Sequence, residues 1–377
     1  MIKRIKVQNY RCLQQFELKC ADVDVMLTLG LNGVGKTTLL KVLSLLQQIA
    51  SGVSAIPDLF LISDFSFAET KDKIMRVELE TEREGKRYQY CLALELPERF
   101  TRLRVFEEAL TCDEERLYGR KVSQVLLGEK AGCGFLLDWH QFALPMIQDK
   151  DGDERIANFK KSLMEMVLVS PMPNVMGDTL SGDGGYLKMD ASNLAAWISE
   201  CQLSAPKSYA MIVDRLRDGI FPDLVGYEFA KDNDDSPRRL TFIFEKTGAG
   251  IIRSRFGTLS DGEKCEILST VIGVKAALGM CDFCYWDEPD NFLAISEVRM
   301  MISALRADMA AAKGQYFFSS HSLQALDAVP VERVKVFMRD SHLEPAYLRD
   351  VRELVKDPKQ LEFLDLKLLS GSLYNEA

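Results

Sequence analysis

Nine consecutive residues, Gly30-Leu31-Asn32-Gly33-Val34-Gly35-Lys36-Thr37-Thr38, carry the strongest chemical signal in the chain. They fit G-x-x-x-x-G-K-[ST], the spacing of a loop that wraps backbone N–H groups around phosphate. Gly30, Gly33 and Gly35 let the backbone curl so that successive N–H groups face the phosphate oxygens. Lys36 can reach β- and γ-phosphates, and the Thr37 hydroxyl can ligate Mg2+. Asn32 and Thr38 complete the candidate nucleotide-binding set. A second signal is Asp287-Glu288, which follows the apolar Phe283-Cys284-Tyr285-Trp286. Adjacent carboxylates at the end of a buried strand can hold Mg2+ through Asp287 and orient or deprotonate an attacking water through Glu288. A third is His321, 34 residues beyond Asp287, in the apolar segment Tyr316-Phe317-Phe318-Ser319-Ser320-His321-Ser322.

These groups need particular elements to carry them. Val25 to Leu29 is a short apolar run of strand type. Leu39, Leu40, Val42, Leu43, Leu45 and Leu46 follow the glycine-rich loop at helical spacing. Strand, loop, helix is the order the phosphate motif requires. Upstream of the acidic pair lies Phe256-Gly257-Thr258-Leu259-Ser260-Asp261-Gly262-Glu263-Lys264, with an apolar helical stretch from Ile267 to Leu278 behind it. The helix is expected to begin after Glu263, with the Asp261 carboxylate pointing away or paired with Lys264.

This ordered set resembles the ABC-type ATPase superfamily. Leu259-Ser260-Asp261-Gly262-Glu263 is similar to the Leu-Ser-Gly-Gly-Gln signature, Asp287-Glu288 to the Walker B pair, Asp290-Asn291-Phe292-Leu293 to the D-loop and His321 to the switch histidine. The branch it resembles most is that of the RecF, SMC and OLD heads, the AAA-21 type. The opening Ile5 to Leu13 is similar to that branch's strand and Asn-Phe-Arg start, and Ala191-Ser192-Asn193-Leu194-Ala195-Ala196-Trp197 to its middle segment. The resemblance implies ATP and Mg2+ as cofactors and ATP hydrolysis to ADP and phosphate. It makes Lys36, Glu288 and His321 catalytic, puts Arg11 near the nucleotide, and has Ser260 and Gly262 reach the γ-phosphate of a second head. Ala294-Ile295 departs from the His-Pro that often follows the D-loop leucine. Gln89 and Gln124 are the candidates for the Q-loop glutamine on order alone.

In a compact head of this superfamily, loop and signature lie about a hundred residues apart by the same resemblance. Here 224 residues separate Gly35 from Leu259, so an insertion is expected. Met75 to Glu80 and Tyr88 to Leu94 alternate as antiparallel strands do, and Val105 to Leu127 extends the pattern. From Gln141 to Pro222 the pattern turns helical, broken at Gln148–Glu154 and Ser181–Gly185. The fold expected is α/β: a P-loop ATPase head with an antiparallel β subdomain and an inserted compact helical lid. Its boundaries are 1–140 for the N-terminal lobe, 141–222 for the lid and 223–377 for the C-terminal lobe. Pro145, Pro171, Pro173 and Pro206, and the lack of sustained heptads, exclude a long coiled-coil arm.

Composition narrows the class further. Of the 377 residues, 47% are hydrophobic and 27% charged, an ordinary globular balance. No apolar run is long enough for a membrane span, and the basic start Met1 to Lys6 lacks a signal-type apolar stretch. Nine cysteines without a disulfide framework suit a reducing compartment, so a cytoplasmic location without membrane contact is expected. Cys281-Asp282-Phe283-Cys284 has no second ligand pair and is expected to be core packing. The net charge of −9 argues against a uniformly basic nucleic-acid wrapper. The scattered basic groups (Lys3, Arg4 and Lys6; Arg99, Arg102 and Arg104; Arg238 and Arg239; Arg253 and Arg255) leave room for local nucleic-acid contact.

The function expected from this set is an ATP-driven switch. Two heads close head-to-tail as a homodimer or within a larger homo-oligomer and control a separately encoded effector such as a nuclease or toxin. By resemblance the setting is bacterial anti-phage defence. His321 stands 56 residues before Ala377, too few for an appended OLD-type nuclease, so effector chemistry is expected from another chain. The alternative is a RecF-like DNA-repair ATPase that clamps duplex DNA. A transporter subunit and a scaffold that binds ATP without cleaving it fit less well, because the insertion and the complete residue set oppose them.

Overall fold

The computed structural model describes residues 1–65, 74–128, 133–150, 152–182, 184–231, 233–248, 250–321, 325–326 and 329–354. Asp151 and Asp183, which fall within the two breaks noted above, and Ser322 lie outside the described residues. In chain order the elements are β1 (Ile2–Tyr10), β2 (Leu13–Lys19), β3 (Val25–Leu29), α1 (Lys36–Ala50), β4 (Ile74–Arg83), β5 (Lys86–Glu95), β6 (Arg104–Cys112), β7 (Glu115–Lys121), β8 (Gln124–Leu127), β9 (Gly134–Leu136) and α2 (Arg155–Met164). Then follow β10 (Val167–Val169), α3 (Leu194–Ser204), α4 (Ser208–Gly219), β11 (Leu224–Ala230), β12 (Arg239–Lys246), β13 (Gly250–Arg255), α5 (Asp261–Ala277), β14 (Phe283–Asp287), α6 (Ile295–Ala311), β15 (Gln315–Ser320), β16 (Val334–Met338), β17 (Tyr347–Asp350) and α7 (Val351–Leu354). The chain divides into two units. The first comprises Met1–Val23, Thr28–Met164 and Val331–Ala377; the second comprises Asp24–Leu27 and Glu165–Pro330.

The first unit is built on an eight-stranded antiparallel sheet in the order β2-β1-β4-β5-β6-β7-β8-β9. Along β4 burial alternates residue by residue, as expected for a sheet with one covered face. Part of that cover is α2, whose Phe159 ring lies 5.7 Å from both Tyr88 and Tyr90. The Gln47 amide of α1 donates to the carbonyls of Leu163 (3.1 Å) and Met164 (3.3 Å), which satisfies the open C-terminal end of α2. The other end of α2 is held by Asp149, whose carboxylate accepts from the N–H groups of Ile156 and Ala157 at 2.9 and 2.7 Å. The acidic run before α2 is therefore a helix cap as well as a loop.

A charged cluster pins the next segment to the same sheet. The fully buried Glu108 carboxylate accepts from Tyr90 (3.1 Å), Tyr118 (3.0 Å), Ala143 N–H (2.7 Å) and Leu144 N–H (2.8 Å), with Arg120 at 3.8 Å. Burial, reinforced by Glu108, pushes both tyrosine hydroxyls well above their usual range. Removing one partner of such a cluster strands a buried charge, at a cost of ~3–5 kcal/mol.

In the second unit β10, β14 and β15 run parallel, and β3 stands beside β15 in the strand order. All five residues of β14 and all six of β15 are buried, the pattern of strands covered on both faces. A separate antiparallel sheet, β11-β12-β13, precedes the signature. The Arg215 guanidinium of α4 grips the Asp308 carboxylate of α6 at 2.6 and 2.8 Å. Gly273 of α5 makes room for that bridge, since a Cβ there would sit 2.3 Å from the Asp308 carboxylate.

Residues 141–222 do not form a helical lid of their own. The segment from 141 to Met164, with α2, belongs to the first unit. From Glu165 on, β10, α3 and α4 belong to the second. The reason is the core: α2 is nailed to the antiparallel sheet by Phe159, and β10 is a strand of the parallel sheet. Among the described residues no helix exceeds 17 residues, about 25 Å of helix. Cys281 lies just ahead of β14 rather than on it; both it and Cys284 are buried, and burial pushes the Cys281 thiol up to about 12.

Candidate functional site

The phosphate loop runs from the end of β3 to the first turn of α1. Gly35 is the N-cap of α1 at φ 118°, a conformation L side chains rarely adopt, and no side chain caps the helix. A Cβ at Gly35 would also stand 2.9 Å from the Cys12 sulfur. A Cβ at Gly30 would meet the Phe337 carbonyl at 2.9 Å. Glycine is thus needed at both ends of the loop, once for its backbone angle and once for closeness. Lys36 is buried, and its ammonium donates to the carbonyls of Gly30 (2.7 Å) and Leu31 (3.1 Å). Leu31, Asn32 and Gly33 form the exposed crest, and Thr37 and Thr38 are half-buried.

Two segments brace this loop within the first unit. One is the β1–β2 turn. Its Arg11 stands at φ 50° and makes a 2.8 Å ion pair with the buried Asp64, while its N–H donates to the Asp64 carbonyl at 2.7 Å. The neighbouring Cys12 packs on Gly35, so the turn carrying Arg11 lies beside the loop, anchored by Asp64. The other is the turn after β16. Arg339 donates to the carbonyls of Gly33 (3.3 Å), Glu344 (2.8 Å) and His342. Ala346 N–H donates to the Cys12 carbonyl at 2.8 Å. Neither Asp64 nor Arg339 has a motif around it that would mark it in sequence.

In the second unit the acidic pair stands at the C-terminal end of β14, as its sequence context predicts. Asp287 is buried. Its Oδ1 accepts the hydroxyl of Ser319, directly opposite on β15, and its Oδ2 accepts the Ser170 hydroxyl at 3.5 Å. Glu288 is held at φ 51°, its N–H shared between the Ser319 carbonyl (3.2 Å) and hydroxyl (3.1 Å). Such a left-handed non-glycine residue costs ~1–2 kcal/mol. The Asn291 amide donates to the Glu288 carboxylate at 3.1 Å. His321 follows β15 and is half-exposed, its Nδ1 3.9 Å from the Asp290 carboxylate, which also accepts from Ser320 at 2.8 Å.

The signature differs from expectation in where its helix starts. The helix α5 begins at Asp261, with Ser260 as its N-cap, rather than after Glu263. Glu263 is the third helical residue and closes a capping box: its carboxylate accepts from Ser260 N–H (2.7 Å) and Ser260 O–H (2.8 Å), and its own N–H donates to Ser260 Oγ at 3.3 Å. Lys264 does not pair with Asp261. It is buried and donates to the Pro173 carbonyl at 3.1 Å. Gly262 packs against the D-loop, where a Cβ would lie 3.3 Å from the Phe292 carbonyl. The Ala191–Trp197 segment is architectural: Asn193 ties Lys188 N–H (2.8 Å) to the Tyr186 carbonyl (2.8 Å), and Lys275 sits 4.3 Å over the Trp197 ring. Gln89 and Gln124 are exposed on β5 and β8 of the antiparallel sheet. Directly after β10, which pairs with the acidic strand, stands Ser170.

Residues 1–99 match the family model of the AAA ATPase domain. The chain is similar to the SMC head solved in complex with the C-terminal winged-helix domain of ScpA, at 10% identity and a TM-score of 0.55, covering 94% of this chain and 99% of that one. It is also similar to the SMC head with an extended coiled coil bound to the C-terminal domain of ScpA from Pyrococcus furiosus, at 10% identity and a TM-score of 0.52, covering 96% and 99%. The fold is that of an SMC-type ATPase head. No curated protein matches the sequence. No helix among the described residues is long and apolar enough to cross a membrane.

Several basic groups noted in the sequence are paired with acids in the sheets. Lys3 meets Glu82 at 3.2 Å, Arg4 Glu80 at 2.7 Å, Arg104 Glu95 at 2.6 Å, Arg239 Asp178 at 2.7 Å and Arg253 Glu228 at 3.0 Å. They serve sheet pairing first.

Proposed function

We propose that this chain is a Mg2+-dependent ATPase that works as a molecular switch. The observation that carries the reading is the phosphate loop: a left-handed glycine cap opens α1, and a buried lysine ammonium rests on the loop's own carbonyls. An anion entering there meets backbone N–H groups and the positive end of a helix, and Lys36 exchanges carbonyl partners for phosphate oxygens. Gly30, Asn32, Gly33, Gly35 and Thr38 line the nucleotide, with Arg11 nearby. The Thr37 hydroxyl and the Asp287 carboxylate are hard oxygen donors of the kind Mg2+ prefers. When bound, the ion neutralises charge on the phosphates. Glu288 orients and deprotonates the attacking water, and His321 supports the terminal phosphate.

A second head docking head-to-tail would supply Ser260 and Gly262 from the start of α5. Ser260 must then leave Glu263 to donate to phosphate, so closure opens the capping box. The closed dimer reports its state to a separately encoded protein. Similarity to heads solved with ScpA supports a protein partner, while a nuclease or toxin of an anti-phage system follows from the family resemblance. The chain works in the cytoplasm.

Calorimetry with ATP and Mg2+ tests the first step: wild type binds, and Lys36→Ala loses on the order of 10–100-fold in affinity, the worth of charge-assisted bonds to phosphate. Gel filtration tests the second. Ser260→Arg keeps ATP binding yet stays monomeric, and mixing it with Glu288→Gln protein restores nucleotide-dependent dimers. A wild type that neither binds nor hydrolyses ATP removes the reading. Loss of ATP binding by monomeric Ser260→Arg removes the head-to-tail arrangement.

A further inference from the structure

We propose that Ser319 is the positioning residue for the metal-binding carboxylate, with Ser170 as its weaker counterpart on the other side. The inference rests on the Mg2+-ATPase reading and names how that site is kept in order. Three parallel strands end together: β10 at Val169, opposite Trp286, and β14 at Asp287, opposite Ser319 of β15. Ser170, Asp287 and Ser319 therefore form one row along the carboxyl edge of the sheet.

The hydrogen bonds in that row leave Asp287 one orientation. Ser319 is fully buried, and its single proton goes to Asp287 Oδ1. Its oxygen accepts the Glu288 N–H at 3.1 Å. One hydroxyl thus sets both the metal carboxylate and the backbone of the water-orienting glutamate, fixing the angle between them. Ser170 reaches Oδ2 at 3.5 Å, a longer and weaker contact. A carboxylate that accepts hydroxyl donors at both oxygens is held pre-aimed, which is what outer hydrogen bonds do for a metal ligand.

A purely architectural hydroxyl would affect stability alone; a positioning hydroxyl must change metal affinity in molecules that remain folded. The experiment is Mn2+ titration followed by electron paramagnetic resonance, with ATP present, in the Glu288→Gln background where turnover is blocked. Ser319→Ala is expected to bind Mn2+ about ten-fold more weakly, within the range for outer hydrogen-bond partners of metal ligands. Its ATP affinity in EDTA should be unchanged. Ser319→Thr, which keeps the hydroxyl, restores Mn2+ binding, and Ser170→Ala shifts it less than Ser319→Ala. In the Glu288 parent, Ser319→Ala raises the Mg2+ concentration for half-maximal hydrolysis by a similar factor. If Ser319→Ala does not fold, the near-isosteric Ser319→Cys carries the same comparison and must weaken Mn2+ binding. Parent-level Mn2+ affinity in folded Ser319→Ala or Ser319→Cys overturns the inference while leaving the ATPase reading intact. Failure of the Glu288→Gln protein itself to bind Mn2+ with ATP overturns the reading on which it rests.

Discussion

The phosphate loop and the carboxylate edge are two solutions to presenting polar groups. The loop is made of backbone: glycines at unusual angles, a helix start without a side-chain cap, and one lysine folded back on its own carbonyls. The edge is made of side chains: a carboxylate between two hydroxyls and a glutamate displayed from a left-handed residue. The loop is built from nine neighbouring residues. The edge draws Asp287 together with partners 117 and 32 residues away in the chain. A change of backbone freedom should therefore damage the first, and a change of one functional group the second.

Glu288→Gln should show the largest effect. The amide keeps the bond from Asn291 but cannot take a proton, so hydrolysis falls about 10²–10⁴-fold while ATP binding persists. Steady-state phosphate release and a binding isotherm measured together check this. Equal loss of both would mean that the edge also holds the nucleotide, and the contrast between the two regions would vanish.

Gly35→Ala probes the loop. The left-handed backbone and the 2.9 Å approach to the Cys12 sulfur both oppose a methyl group, at a cost of about 1–3 kcal/mol. Thermal unfolding should move to lower temperature, and ATP binding should weaken with it. A variant of unchanged stability and affinity would show that the loop relaxes more readily than its packing implies.

Glu263→Ala should show the smallest effect. It opens the capping box of α5, losing about 1 kcal/mol or less of helix stability, and releases the Ser260 hydroxyl. If closure requires that release, ATP-driven dimers form more readily in Glu263→Ala, seen by gel filtration at limiting ATP. Dimers that form less readily would mean that Glu263 supports the docked state.

The loop, the acidic pair and the antiparallel strands were legible because each is a local matter. A G-x-x-x-x-G-K-T run must curl, an apolar tetrad followed by Asp-Glu must be a buried strand, and Met75 to Glu80 must alternate. The start of α5 lies a few residues ahead of the expected position because Ser260, followed three residues later by Glu263, closes a capping box there.

By itself the sequence determined the order of strand, glycine-rich loop and helix and the buried strand that carries the acidic pair, since each depends on the chain within one or two turns or strands. The tertiary structure alone decided that α2 joins the antiparallel sheet while α3 and α4 do not. It also decided that Arg11 is anchored by Asp64 and that Arg339 braces the loop crest. Above all it placed Ser170 and Ser319 on either side of Asp287. Serine is common and carries no period. Only the parallel register of β10, β14 and β15 brings those two hydroxyls to the same carboxylate, and register is a long-range property that no local window of sequence contains.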